Sequence, residues 1–331
     1  VNQLLDQARL RAVNLPSSVW SPTPRTLRRW ALAAVVVNAG ITVTGAAVRV
    51  TGSGLGCPTW PRCTPDSFVP VAHPEISPVN MAVEFGNRLL TFVILVVGLA
   101  CLVAALRLLP RRKDLVRLAW IQPLGVAAQG LWGGLVVRSA LNPVTVSVHF
   151  LISIGMLAAA VALHTRAGEG DGPPEPLVHR DIRRLGFALV AAVAVLLVAG
   201  VVVTGTGPHS GDAVASRFAF DIETVARIHA DVVYLVVGLT FALVFALHIT
   251  RAPAAARRAA LTLLGVELAQ GVIGYVQYFL AVPAFLVGLH VLGSTLVWIC
   301  TLRAVYALRS RGPLESTADA RDALGSATAR A

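Results

Sequence analysis

The sequence predicts an all-α integral membrane protein of eight transmembrane helices, built as two duplicated four-helix bundles related by pseudo-two-fold symmetry. Three observations predict it. The 331 residues are 56% hydrophobic and 14% charged, with a mean hydropathy of +0.71, far from the balance of a soluble domain. Apolar windows of about 20 residues, the length that crosses about 30 Å of hydrocarbon, recur along the chain. Motifs of the first half return in the second at a constant offset.

The windows run as follows. The first, 30–50, contains Gly40 and Gly45 and leads into Thr51-Gly52-Ser53-Gly54. The second, 83–107, opens on the polar residues Glu84, Asn87 and Arg88 before an almost wholly apolar run. The third, 117–137, holds Gln129, Gly130, Gly133 and Gly134; the fourth, 144–164, holds His149. A Gly/Pro-rich linker over 167–176 follows. The fifth window, 184–204, leads into Thr204-Gly205-Thr206-Gly207. The sixth, 225–248, holds His229; the seventh, 259–281, Gln270; the eighth, 284–307, His290. Interior glycines suit packed helices, and the alternation of barrel strands is absent. The expected organisation is an amino-terminal segment 1–29, a first half 30–166, a linker 167–183, a second half 184–307 and a tail 308–331.

Duplication rests on spacing. Gln129 and Gln270 are 141 positions apart, as are His149 and His290. Nearly the same offset places His229 opposite Asn87, so the first half carries asparagine where the second carries histidine. The stretches 48–60 and 201–213 form a third pair, each with Thr-Gly-Ser/Thr-Gly leading into a loop whose glycines permit tight turns.

Arginines concentrate at the amino end (Arg25, Arg28, Arg29), in alternate loops (Arg107 to Arg117, Arg166 to Arg184, Arg251 to Arg258) and in the tail (Arg303, Arg309, Arg311). The positive-inside tendency then makes both termini cytoplasmic. It also accounts for the net charge of +11 without a nucleic-acid partner. Residues 1–21 hold no apolar core of the kind a cleavable signal needs, so none is expected. That segment and the tail from 312 onward are expected to be peripheral.

The orientation gives the histidines a geometry. The even-numbered windows run inward from the outer face, so His149, His229 and His290 lie a few residues below it. Six helical residues are about 9 Å of depth. Two imidazoles at matched depth across a bundle core form the usual axial arrangement for a membrane haem b. In the first half the matching pair is Asn87 and His149, one poor iron ligand and one strong one. The plain alternative for each histidine is a hydrogen bonder in helix packing. His73 and His209 fall in outer loops, and His164, His179 and His248 near cytoplasmic ends, where solvated or interfacial roles are expected; His209 is close enough to support the site.

Glu84 and Arg88 have two readings. They can be interfacial, with Glu84 capping its helix and Arg88 snorkelling. Alternatively Glu84, three residues before Asn87 and on the same face, serves the chemistry by moving protons or stabilising positive charge. Arg88, Arg49 or Arg227 are candidates to pair with haem propionates. Cys57 and Cys63 lie in the first outer loop, as a disulfide or as a redox-active thiol pair. Cys101 and Cys300, inside windows, read as packing residues.

These features together resemble the heme A synthase family, actinobacterial members in particular. The resemblance is carried by the eight windows, the duplication, Val-Arg-Val-Thr-Gly-Ser-Gly-Leu-Gly-Cys-Pro-Thr-Trp-Pro from position 48, Glu-Phe-Gly-Asn-Arg from 84 and the three histidines. It implies oxidation of the C8 methyl of haem O to a formyl group, giving haem A for cytochrome c oxidase, with a resident haem b for electron transfer. It implies that His229 and His290 are axial ligands of that iron and that His149 meets the substrate haem iron beside Asn87 and Arg88. It further implies Glu84 at the chemistry and a Cys57–Cys63 disulfide. Asn87 departs from the histidine usual in the family. The resemblance also implies a multi-pass protein of the bacterial plasma membrane in contact with lipid. Haem O synthase, cytochrome oxidase assembly factors and further copies of the chain are candidate partners.

Two other classes use the same features. A quinone-linked di-haem b electron-transfer protein needs the histidines but gives Glu84 no special role. A repeat-built transporter explains the duplication but predicts broken helices at mid-membrane.

Overall fold

The computed structural model describes residues 20–72 and 74–314. Among them are eight long helices: α1 (Pro24–Val50), α2 (Pro78–Arg107), α3 (Lys113–Arg138), α4 (Pro143–Ala167), α5 (Arg180–Thr206), α6 (Ile222–Ile249), α7 (Ala254–Phe279) and α8 (Ala284–Tyr306). A two-residue strand, β1 (Glu175–Pro176), pairs antiparallel with β2 (Arg309–Ser310). Residues 1–19, His73 and 315–331 lie outside the described residues, and with them most of the expected amino-terminal segment and tail.

Most helices begin several residues before the apolar windows, because a helix does not stop where the hydrocarbon does. Thr23 caps α1 by accepting from the Thr26 amide, ahead of Pro24. Arg25, Arg28 and Arg29 are therefore helical. Asn142 caps α4 ahead of Pro143 in the same way, and Asp221 accepts from the amide and hydroxyl of Thr224 to start α6. Each cap satisfies a donor that the first helical turn leaves open.

Seven of the eight helices are long and apolar enough to cross a membrane, which makes this a multi-pass, all-helical membrane protein. Lys113–Arg138 is the exception. Its 26 residues suffice in length, but Gln122, Pro123, Gln129 and four charged groups dilute its apolar character.

Within each half the helices adjoin in the same cyclic order. In the first, α1 meets α2 and α4, and α3 meets α2 and α4; in the second, α5 meets α6 and α8, and α7 meets α6 and α8. Helices α2 and α4 therefore lie on one diagonal, as do α6 and α8. The halves join where α1 and α4 meet α8, and where α4 meets α5. Trp298 donates its indole N–H to the Ile154 carbonyl across that seam, at 3.2 Å.

The two turns between paired helices match residue for residue. Ala140 and Leu141, then Ala281 and Val282, all adopt left-handed backbone with φ of 49°, 59°, 57° and 62°. In each turn the second residue's amide reaches back five positions, Leu141 to Val136 and Val282 to Gln277. Non-glycine residues adopt this conformation at a cost, so two consecutive pairs at equal spacing mark a shared local design.

Packing is uneven along the helix axes. The fully buried leucines, Leu27, Leu108, Leu115, Leu157, Leu163, Leu189, Leu243, Leu247, Leu263 and Leu308, all sit at or toward the end that carries the 167–179 linker. Alanines between them (Ala31, Ala104, Ala105, Ala119, Ala160, Ala256, Ala260) let backbones approach closely, as packing in lipid requires. That end is also laced by charge. Glu169 binds Arg166 at 2.9 Å and Arg309 at 3.0 Å, Asp114 binds Arg166, and Arg112 reaches the Glu169 carbonyl. The linker is thus anchored rather than free. The opposite, disulfide-bearing end is looser, and the histidines lie there.

Candidate functional site

The loop 51–77 is held to α2 through one residue pair. Arg88 places all five guanidinium N–H groups. Nε and Nη2 donate to Glu84 Oε1 at 3.1 and 2.5 Å, Nη1 to the carbonyls of Thr59 and Arg62, and Nη2 also to Cys57 at 2.7 Å. Glu84 is 6% exposed, and its Oε2 accepts the Cys57 amide at 2.6 Å. Neither interfacial role expected from sequence is what these side chains do. Glu84 caps the loop rather than its own helix, and Arg88 turns inward instead of toward solvent. With every donor engaged, Arg88 has none left for a propionate.

The same loop contains the Cys57–Cys63 disulfide, both cysteines fully buried. Gly56 is required there, since a Cβ would sit 2.3 Å from the Asn80 carbonyl oxygen. Trp60 packs against Gly134 of α3, where a Cβ would come within 2.8 Å of the indole. The loop is thereby fixed over the open end of the first half.

The paired glycine stretches meet each other. Gly54 donates to the Gly211 carbonyl at 2.8 Å. Arg49 donates from Nε to the His209 carbonyl at 2.5 Å and from Nη2 to the Thr204 carbonyl at 2.8 Å. His209 in turn holds the Val282 carbonyl through Nε2 at 2.9 Å. Arg49 and His209 join the two halves at the disulfide end. Arg227 is exposed on α6.

His229 on α6 and His290 on α8 face each other across the diagonal of the second half, ring centres 6.5 Å apart and planes 58° apart. A metal–imidazole bond of about 2 Å on each side, plus about 1 Å from each nitrogen to its ring centre, separates two axial ligands by about 6 Å. The residues therefore fit one iron between them. Nδ1 of His149, His229 and His290 is buried without a protein partner. Among the described residues no group of three or more His, Cys, Asp or Glu gathers to hold a metal by side chains alone.

Each ring rests against a glycine. A Cβ on Gly200 would lie 3.4 Å from His229 Cε1, one on Gly274 3.2 Å from His290 Cε1, and one on Gly133 3.6 Å from His149 Cε1. Sequence reading missed the roles of Gly200 and Gly274. The second was findable, because Gly274 stands 141 positions after Gly133. The paired glutamines also do one job: Gln129 Nε2 donates to the His149 carbonyl at 3.0 Å, and Gln270 Nε2 to the His290 carbonyl at 2.8 Å.

The first half differs at the diagonal. Asn87 Oδ1 accepts from Thr44 of α1 at 2.7 Å, and the remaining Nδ2 donates only. Asn87 thus presents no imidazole, and His149 is the one imidazole on that diagonal. Glu84 and Asn87 share a helix face yet engage different partners, the loop and α1.

Comparison with known proteins follows this geometry. The model of the family described as COX15-CtaA, cytochrome oxidase assembly protein, matches residues 28–302. A heme A synthase from Geobacillus kaustophilus (strain HTA426) is 36% identical over 132 residues, 38% of this chain and 39% of the relative. Heme A synthases from Lysinibacillus sphaericus (strain C3-41) and Geobacillus thermodenitrificans are each 34% identical, over 42% and 44% of this chain and 44% and 47% of the relatives. The chain thus aligns with less than half the length of these relatives. The family match covers all eight helices except the first residues of α1 and the last of α8, and on that ground the chain belongs to the COX15-CtaA family of cytochrome oxidase assembly proteins, the heme A synthase family.

Proposed function

We propose that the protein is a heme A synthase, converting the C8 methyl of haem O to a formyl group and so supplying haem A for cytochrome c oxidase. The observation that carries the proposal is the diagonal His229–His290 pair in a chain of this family, with the altered diagonal of Asn87 and His149 beside it. All eight helices span the bacterial plasma membrane, Lys113–Arg138 included, and both termini face the cytoplasm. The halves descend from one duplicated four-helix unit, a reading supported by the shared helix order, the matched turns and the glutamine pair.

In this reading His229 and His290 hold a haem b, which supplies one-electron transfer. The two imidazoles are kept in place by Gly200, Gly274 and the Gln270 bond to the His290 backbone. The substrate haem O lies in the first half, where His149 takes one face of its iron and Asn87, tied to Thr44, leaves the other without a strong protein ligand. Methyl to formyl removes electrons and protons and adds one oxygen. Glu84, paired with Arg88, has a lone pair left on Oε2 and serves as proton acceptor at the mouth. The disulfide loop, with Trp60 packed on Gly134, excludes water from that mouth. Haem O synthase, oxidase assembly factors and further copies of the chain are proposed partners.

Expression in a host that makes haem O, followed by chromatography and mass analysis of the extracted haems, tests the proposal. Haem A or its hydroxylated precursor is expected, lost in Glu84→Gln while haem b remains. Haem b alone, with haem O available, refutes it in favour of a di-haem electron-transfer protein.

A further inference from the structure

Helix α7 carries a polar stripe whose members Glu267 and Gln277 the proposed chemistry does not use. Glu267, Gln270 and Gln277, with Gly274 between them, are spaced three, four and three residues apart and so share one face. That face looks into the second half, since Gly274 touches His290. Each of the three polar residues leaves one buried oxygen without a protein partner: Glu267 Oε2, Gln270 Oε1 and Gln277 Oε1.

Glu267 is the unusual member. It is 5% exposed, near the middle of a 26-residue helix. Its one hydrogen bond is from the Thr240 hydroxyl of α6 to Oε1 at 2.9 Å, and Thr240 is fully buried. No ion pair among the described residues includes it. Cys300 of α8 is a titratable group near enough to interact with it electrostatically. A carboxylate so placed has lost its hydration and gained a single neutral donor, which does not repay ionisation. A neutral acid fits better, but its O–H then needs an acceptor.

The stripe itself offers what is needed. Gln270 lies one turn toward the disulfide end, about 4.5 Å along the axis, and its Oε1 also lacks a donor. Donors and acceptors left open at that spacing are the usual partners of internal water. Gln277 continues the stripe to the last turn of α7. Its carbonyl binds the Val282 amide, and the Val282 carbonyl binds His209 in the surface loop. The first half has no such stripe: 141 positions earlier, Glu267 and Gln277 are replaced by Val126 and Val136.

We propose that Glu267, Gln270 and Gln277 form an internal water site in the second half, with Glu267 as a protonated acid that exchanges its proton along the stripe with the disulfide-end surface. The proton leaves Oε2 for a bridging water, which passes one of its own onward, and a solvent proton returns by the same file. The assignment is independent of what the histidines hold.

Infrared spectroscopy of the full-length protein in lipid nanodiscs tests it. The wild type should show a protonated-carboxyl carbonyl band that is missing from Glu267→Gln and moves in Glu267→Asp, which serves if the glutamine variant does not fold. In D2O the band should shift, and Gln277→Leu should keep the band but slow its shift severalfold. Identical carbonyl bands in wild type and the Glu267 variants overturn the protonated acid. A band that never shifts in D2O overturns the water site, and one that shifts equally fast in Gln277→Leu overturns the route.

Discussion

Arg88→Ala isolates the clamp on the disulfide loop. The substitution removes five donated hydrogen bonds, two to Glu84 and three to the carbonyls of Cys57, Thr59 and Arg62. It leaves Glu84, 6% exposed, with the Cys57 amide as its remaining bond. Breaking a buried ion pair by removing one partner costs about 3–5 kcal/mol. The Arg88 side chain is 22% exposed, so water replaces part of its role and the lower end, about 3 kcal/mol, applies. At 1.36 kcal/mol per decade this raises local opening of the loop by roughly 100-fold. Hydrogen exchange read by mass spectrometry over 52–67 measures it, with the linker-end helices as internal control. Expected is a loss of protection of about two decades at the Cys57 amide, and a smaller loss in Arg88→Lys, which keeps the charge but not the fork. Unchanged protection in Arg88→Ala would refute the view that this pair holds the loop.

Other perturbations separate the two halves. His229→Ala or His290→Ala should each abolish the bis-imidazole haem b spectrum, whereas His149→Ala should leave it intact; retention of the spectrum in either of the first two would remove that residue from the ligand set. Gly274→Val places a branched side chain where a Cβ already stands 3.2 Å from His290 Cε1, so haem b content on purification should fall while helicity by circular dichroism does not. Asn87→His restores two imidazoles to the first-half diagonal, and a second low-spin haem signal is expected; its absence would show that Asn87 does not face His149. Gly134→Ala drives a Cβ to 2.8 Å from the Trp60 ring, an overpacking that costs about 1–3 kcal/mol. The readout is a lower thermal midpoint with altered tryptophan emission.

The signals legible in the sequence were periodic or repeated. The windows, the 141-residue offset and the three histidines required no tertiary knowledge, because lipid imposes apolar length and duplication preserves spacing. The sequence fell short on Glu84 and Arg88, whose loop partners are 26 to 31 positions away in a segment with no periodic pattern. The 167–179 segment failed for a related reason. Glycine and proline mark it as a linker, but Glu169 and β1 bind residues more than 130 positions later.

By itself, then, the sequence determined that this is a multi-pass helical membrane protein of one family, which positions carry imidazoles, and that asparagine stands at one of the matched sites. These properties follow from composition, local spacing and identity. The tertiary structure alone decided that His229 and His290 meet across a diagonal, that Arg88 is spent on the disulfide loop, that one end of the bundle is closed by leucine and alanine while the other opens over the histidines, and that Glu267 is buried with one partner. Those facts depend on which helix faces which. In lipid that choice is made by close approach of small residues and by the pairing of buried polar groups, neither of which is written in the order of apolar residues along a single helix.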